Sequence, residues 1–222
     1  MRALLALDTT NAWCIAALRR PGHDDLVRGE RLGRGHAERL APLVAGLLAD
    51  AGVEPSHLSR IGVATGPGSF AGTRVGVAFT RGLALATGAE AVGVSNLAVI
   101  AHMADPRRTG RVAVIHDAKR GELVVQLFDR GGAIGDPERL TIEAAASWLR
   151  PLADNGVRPA GSGAPILRAA LNRTDWAGGV LADGPDLDPR TLLDLAGQSD
   201  APPSPVYARP PDAKLPGGAE PE

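Results

Sequence analysis

Aromatic side chains are scarce in this sequence: three Phe, three Trp and one Tyr make up 3% of its 222 residues. The core must therefore be built from Ala, Val and Leu. A single cysteine, Cys14, excludes an internal disulfide and, lying in an apolar run, reads as a buried thiol. Lysine is confined to Lys119 and Lys214, and the formal net charge of −1 gives no overall pull towards nucleic acid. No apolar run approaches the length of a membrane span and no basic-then-apolar segment opens the chain, so a cytoplasmic protein is expected. The five histidines (His23, His36, His57, His102 and His116) offer no pair at metal-ligand spacing on one helix face and no Cys–His pairing. No elbow motif surrounds a serine. No metal and no catalytic residue is expected.

What is present is ordinary in bulk, 44% hydrophobic and 22% charged, enough for one large domain or two small ones. Its most informative stretch is Gly66-Pro67-Gly68-Ser69-Phe70-Ala71-Gly72-Thr73-Arg74-Val75-Gly76, directly after the apolar run 61–65. It reads as a strand, a glycine turn and a helix capped by Ser69, with Gly66 and Gly68 free to take positive φ. Such a helix start can receive an anion, or it can be merely a tight connection. It is neither a Walker A loop nor a Rossmann fingerprint, since no Gly-Lys-Ser/Thr follows and the third glycine falls one residue late. Gly72, Gly76, Thr80, Ala84 and Gly88 give the helix a small-residue edge beside a Val75-Phe79-Leu83 stripe. That edge predicts close approach of another backbone, either the chain's own or a second subunit's.

Three strands are predicted at 2–7, 12–18 and 26–32, forming an antiparallel meander. An amphipathic helix follows, with Leu40, Leu43, Val44, Leu47 and Leu48 on one face. Pro42 suggests that its regular part starts near that residue. The first half then reads β-β-β-α-β-α and closes with a short strand at 90–93. After a polar, linker-like break at 105–110, a hairpin is expected at 112–128, turning at 119–122. A helix capped by Thr141, a strand end and turn at 157–163, a helix over 165–171 and a last helix opened by Asp188-Pro189 complete the second half. Asp8-Thr9-Thr10 at the end of the first strand is either an Asx turn or a remnant phosphate site. His116, Asp117 and Arg120 form either a polar site or a solvated hairpin.

Several segments together carry a resemblance. They are Ala6-Leu7-Asp8-Thr9-Thr10, His36-x-x-Arg39-Leu40-x-Pro42, the glycine block, Gly93-Val94-Ser95-Asn96-Leu97, Asp117-Ala118-Lys119-Arg120-Gly121-Glu122 and Pro205-Val206-Tyr207-Ala208-Arg209. In this order they resemble the TsaB (YeaZ) family of the tRNA threonylcarbamoyladenosine machinery, over roughly residues 2–209. The departures are Ala71 and Thr73 in the glycine block and Leu123-Val124 where tyrosine is common.

The resemblance implies an α/β protein of the actin-like, sugar-kinase-like ATPase fold, with two related lobes, each a mixed sheet flanked by helices. The lobes would be 1–104 and 105–209, with a disordered tail at 210–222. It also implies a non-catalytic paralogue of TsaD, which transfers a threonylcarbamoyl group to the adenosine beside the anticodon of ANN-decoding tRNAs. TsaD carries metal-binding histidines in a His-x-x-x-His pattern, of which only His36 is matched here. The first two helices would pack on TsaD as a four-helix bundle. The interface residues would be His36, Leu40, Leu43, Val44 and Leu47 of the first, and Gly72, Arg74, Val75, Gly76, Phe79 and Leu83 of the second.

A weak anion or nucleotide site would use Asp8, Thr9, Thr10, Gly66, Gly68 and Ser69. No intrinsic cofactor is implied, ATP or ADP being bound only in the complex. TsaE would dock on the pair, TsaC would supply the threonylcarbamoyl adenylate, and tRNA would be met indirectly through TsaD. The alternatives are an autonomous ATPase or phosphotransferase of the same fold, a peptidase, for which the sequence offers neither nucleophile nor metal site, and a self-associating module that homodimerises through the same helices.

Overall fold

A strand buried on both faces has no need to alternate, and the Ala-Leu-Leu-Ala-Leu run of β1 (Ala3–Asp8) is such a strand, inaccessible along nearly all its length. It lies at the centre of a five-stranded sheet of order β3-β2-β1-β4-β5 in the computed structural model, which describes residues 2–172 and 187–207. β2 (Trp13–Arg19) and β3 (Leu26–Arg31) continue from β1 as the expected antiparallel meander, whereas β4 (Leu58–Ala64) and β5 (Glu90–Val94) run parallel to it. Edge strand β3 alternates half-buried and exposed residues and carries Arg28, Glu30 and Arg31, a charged rim that discourages further pairing.

α1 (His36–Ala51) and α2 (Phe70–Thr87) cover one face of this sheet. Leu5, Leu7, Ile61 and Val63 pack there against Leu40, Val44 and Leu47. The helix start expected near Pro42 is corrected: α1 begins at His36, and Pro42 lies inside it on the exposed side. There its lost N–H and ring are accommodated at the solvent face without breaking the helix.

The second sheet has the order β8-β7-β6-β9, the same relative arrangement as β3-β2-β1-β4. It is formed by β6 (Arg111–Lys119), β7 (Glu122–Asp129), β8 (Gly132–Thr141) and β9 (Arg158–Ala160), again with three antiparallel strands and a parallel fourth. α4 (Ile142–Asp154), capped by Thr141 through the Ala144 N–H at 3.2 Å, links β8 to β9, and α5 (Ala164–Ala170) follows. The duplicated plan of two mixed sheets with flanking helices is the actin-like layout that the resemblance implied.

Two of the longer elements were not anticipated. β8 is exposed almost throughout and contains Gly132, Gly135 and Pro137, so no apolar alternation marks it as a strand. α3 (Asn96–Ala104) packs apolar residues on more than one side, including Leu97, Val99, Ile100 and Ala101, and lacks a polar face. The break at 105–110 is an anchored turn. Asp105 accepts the Gly110 N–H at 2.8 Å and meets Arg158 at 3.1 Å, contacts that hold its carboxyl below the usual carboxylate range, the backbone bond being the larger cause.

The division at 105–209 also needs correction at its far end. α6 (Pro189–Gln198), capped by Asp188 as expected, packs on the free face of the first sheet, beside β1, β2, β4 and β5. Small residues make room for it: a Cβ on Gly62 would collide with the Cβ of Ala196. Residues 199–207 then run back along the same lobe. The Gly93 N–H donates to Ala201 O at 2.8 Å and the Val206 N–H to Thr65 O at 2.8 Å. The expected tail at 210–222, with Ala208 and Arg209 of the last quoted segment, lies outside the described residues. No helix among the described residues is long and apolar enough to cross a membrane.

Candidate functional site

The Asp8-Thr9-Thr10 turn and the glycine turn meet face to face at the ends of β1 and β4. Asp8 Oδ1 accepts both the Thr10 N–H at 2.8 Å and the Thr10 hydroxyl at 2.6 Å, an Asx-type closure of a turn whose three residues are almost wholly inaccessible. Thr9 donates its hydroxyl to Gly72 O at 2.7 Å, and Ser69 N–H donates to Thr10 O at 2.6 Å. Asn96, at the start of α3, ties the two turns together. Its amide donates to Thr10 Oγ1 at 2.8 Å and to Pro67 O at 3.1 Å, while its oxygen accepts the Gly66 N–H at 3.0 Å.

Such proximity requires glycines. Gly66 has the expected positive φ of 99°, but Gly68 is corrected: no positive φ is needed there, and a Cβ would lie 2.5 Å from Thr10 O. A Cβ on Gly72 would strike Thr9 O, and one on Gly76 would lie 2.5 Å from Thr9 Oγ1. With Thr80 and Ala84 also buried, the small edge of α2 is filled by the chain's own first turn and sheet.

Between the lobes lies a cleft of ≈ 580 Å³. Thr10, Asn11, Gly68, Ser69 and Asn96 line one wall, and His116, Asp117, Lys119 and Ser162 the other. Lys119 Nζ is 2.7 Å from Asp117 Oδ2, and Ser162 Oγ lies 3.5 Å from His116 Nδ1. Desolvation pushes the His116 imidazole below its ordinary pKa, against the opposing pull of Asp117. Among the sequence-predicted anion residues, Ser69, Gly68 and Thr10 reach this cleft, whereas Asp8, Thr9 and Gly66 serve the turn behind it. Asn96, Asn11 and Ser162 were not singled out individually, because only the fold brings them to the cleft. Among the described residues, no group of three His, Cys, Asp or Glu side chains could hold a metal ion. Cys14, on β2, is buried in the core that α1 covers, and burial, then Glu30 and Asp8, push its thiol up to about 11.

The second surface is the outer side of α1 and α2. Leu40, Leu43, Val44 and Leu47 are in the core and leave no surface for a partner, and the same correction applies to Gly72 and Gly76. His36 is buried too, its Nε2 without a hydrogen-bond partner among the described residues. Val75, Phe79 and Leu83 are half-buried on the flank of α2, leaning on the core. The fully exposed side of α2 holds Ala71, Ala78, Gly82, Leu85 and Ala86, and that of α1 holds Ala37, Ala41, Pro42, Ala45 and Ala49. Leu85 is 89% exposed. A Cβ on Gly82 would meet nothing within 4 Å among the described residues. The sequence carried this pattern as Ala at every fourth position of α1, masked by the stronger leucine stripe.

A family model described as TsaD, tRNA N6-adenosine threonylcarbamoyltransferase, matches residues 27–142, just over half of the chain. The TsaB protein of Bacillus subtilis (strain 168), a tRNA threonylcarbamoyladenosine biosynthesis protein, is 37% identical over 129 residues, covering 56% of this chain and 54% of that one. The chain spans about half the length of the TsaB proteins it matches. An uncharacterised protein of Mycobacterium tuberculosis (strain ATCC 25618 / H37Rv) is 34% identical over 216 residues, 95% of this chain and 93% of its own. The solved structure of YeaZ from Pseudomonas aeruginosa superposes with a TM-score of 0.71 at 29% identity, covering 93% of this chain and all of that one. The glycine block, the Asp8 turn stapled to it and the duplicated sheets thus sit in a frame shared with these relatives, and the chain belongs to the TsaB (YeaZ) family of tRNA threonylcarbamoyladenosine biosynthesis proteins.

Proposed function

We propose that this chain is a non-catalytic subunit that pairs with TsaD through α1 and α2 and supports threonylcarbamoyl transfer to the adenosine beside the anticodon of ANN-decoding tRNAs. TsaC supplies the threonylcarbamoyl adenylate, TsaE docks on the pair, and tRNA is met through TsaD. The observation that carries the pairing is Gly82 beside Leu85. A glycine inside a helix costs about 1 kcal/mol relative to alanine. Gly72 and Gly76 are accounted for by Thr9, but nothing among the described residues fills the space beside Gly82. A bare backbone next to an 89% exposed leucine, together with the row of exposed alanines on α1, suits two partner helices packed at short range.

The autonomous phosphotransferase is less well supported. Asp8, the residue that would orient a metal-bound nucleotide, is 1% exposed and holds Thr10 instead of facing the cleft.

The test is threonylcarbamoylation of an ANN-decoding tRNA by cognate TsaC, TsaD and TsaE, with and without this chain. Modification is expected to require the chain. Leu85→Asp, at a position too exposed to affect folding by more than about 0.5 kcal/mol, should lose both TsaD binding and activity. Equal modification without the chain would remove the role. Full activity of Leu85→Asp would remove this face from it.

A further inference from the structure

The first turn of α2 carries a prepared cation. Arg74 is exposed, and its guanidinium carbon stands 3.7 Å from the centroid of the Phe70 ring and 5.5 Å from that of Tyr207. Its Nε donates to Tyr207 Oη at 2.8 Å. The two rings lie 4.9 Å apart at 40°, and Tyr207 is delivered there by the residue before it, whose N–H is bonded to Thr65 O. The arginine is thus held on one face by a ring and along one edge by a hydroxyl.

The opposite edge, with Nη1 and Nη2, has no acidic partner among the described residues. Arg19, Arg39 and Arg60, by contrast, are each paired with carboxylates of the chain itself. No Asp or Glu occurs anywhere in α2, which carries Arg74 and Arg81 on the same flank of its exposed side. We propose that Phe70, Arg74 and Tyr207 form a preset receptor for a carboxylate side chain projecting from the partner helix that packs on α2. The inference rests on the pairing proposed above and supplies the chemistry of its partner.

Two parallel N–H groups held in one plane match a carboxylate in the bidentate manner, and a side chain already fixed loses little freedom on binding. The neighbours Ala71 and Ala78 are apolar, so a seated partner would exclude water and strengthen the pair. An RNA phosphate fits less well. It would draw on a field of cations, and the Phe70 ring that a base would stack upon already carries the guanidinium.

Affinity for purified cognate TsaD tests the receptor, with wild type, Arg74→Gln, Arg74→Glu and Tyr207→Phe measured at low and high salt, and tRNA binding measured alongside. Arg74→Glu should weaken TsaD binding by roughly tenfold to a hundredfold. Arg74→Gln should flatten the salt dependence. Tyr207→Phe, which keeps the ring and the path of the chain, should weaken binding by about threefold. If Arg74→Glu binds TsaD within about twofold of wild type while Leu85→Asp does not, the receptor is overturned and the pairing stands. If the Arg74 variants keep TsaD and lose tRNA, RNA is the occupant and the receptor is again overturned. If wild type itself fails to bind TsaD, the pairing falls and the receptor with it.

Discussion

Two glycines ten residues apart on α2 differ in what surrounds them, and this makes opposite predictions. At Gly72 an added methyl group meets Thr9 O, a backbone atom fixed by β1, so Gly72→Ala should destabilise the chain by about 1–3 kcal/mol. At Gly82 the space is open, so Gly82→Ala should stabilise the isolated chain by about 1 kcal/mol and at the same time weaken pairing with TsaD. Thermal melts and TsaD titrations of the two variants check both signs.

A third residue carries a pH dependence. Desolvation lowers the pKa of His116 in the folded state below its ordinary 6.5, so on acidification the unfolded chain takes up the proton first. The associated stability is full above about 6.5 and is lost as the pH falls from there towards the lowered folded value. His116→Gln should therefore show a shallower fall in Tm between about pH 7 and 5 than wild type. Local residue roles were legible in the sequence: Ser69, Thr141 and Asp188 cap helices through bonds spanning three residues, and the Asx turn at Asp8 spans two. The Thr9–Gly72 bond spans 63 residues, and no local pattern announces it.

Elements were legible in proportion to how unevenly they are buried. α1 has one apolar and one solvated face, and its leucine spacing marks it out. α3 is surrounded by apolar contacts and β8 is exposed almost throughout, so neither has a contrast to read. The extended segment 199–207 has no periodicity at all, and its role comes from what it fastens. Its bonds at Gly93 and Thr65 cap the edge of β5 and the end of β4, and a Cβ on Gly93 would lie 2.7 Å from Pro202 O. Each buried bond of this kind contributes about 0.5–1.5 kcal/mol. A chain ending at Gln198 should thus melt several degrees lower, with faster amide exchange at Gly93. An unchanged melt would show the segment to be passive.

At the scale of the whole molecule, the sequence showed two similar halves, and the structure bears out two sheets of matching order. The limits of the halves were not legible, because α6 has the amphipathic pattern of any covering helix and nothing in that pattern names the sheet it covers. In space the first lobe consists of the chain's beginning together with residues 187–207, and the second sheet is an insertion between them. This connectivity bears on synthesis. When β1 to β5 have left the ribosome, the face of that sheet bearing Ala6, Gly62 and Ala64 is still bare, because Leu192, Leu193 and Ala196, which cover it, are more than ninety residues away along the chain. The lobe that carries α1 and α2 is therefore closed on its second face only once α6 has been synthesised, after the whole of the second sheet.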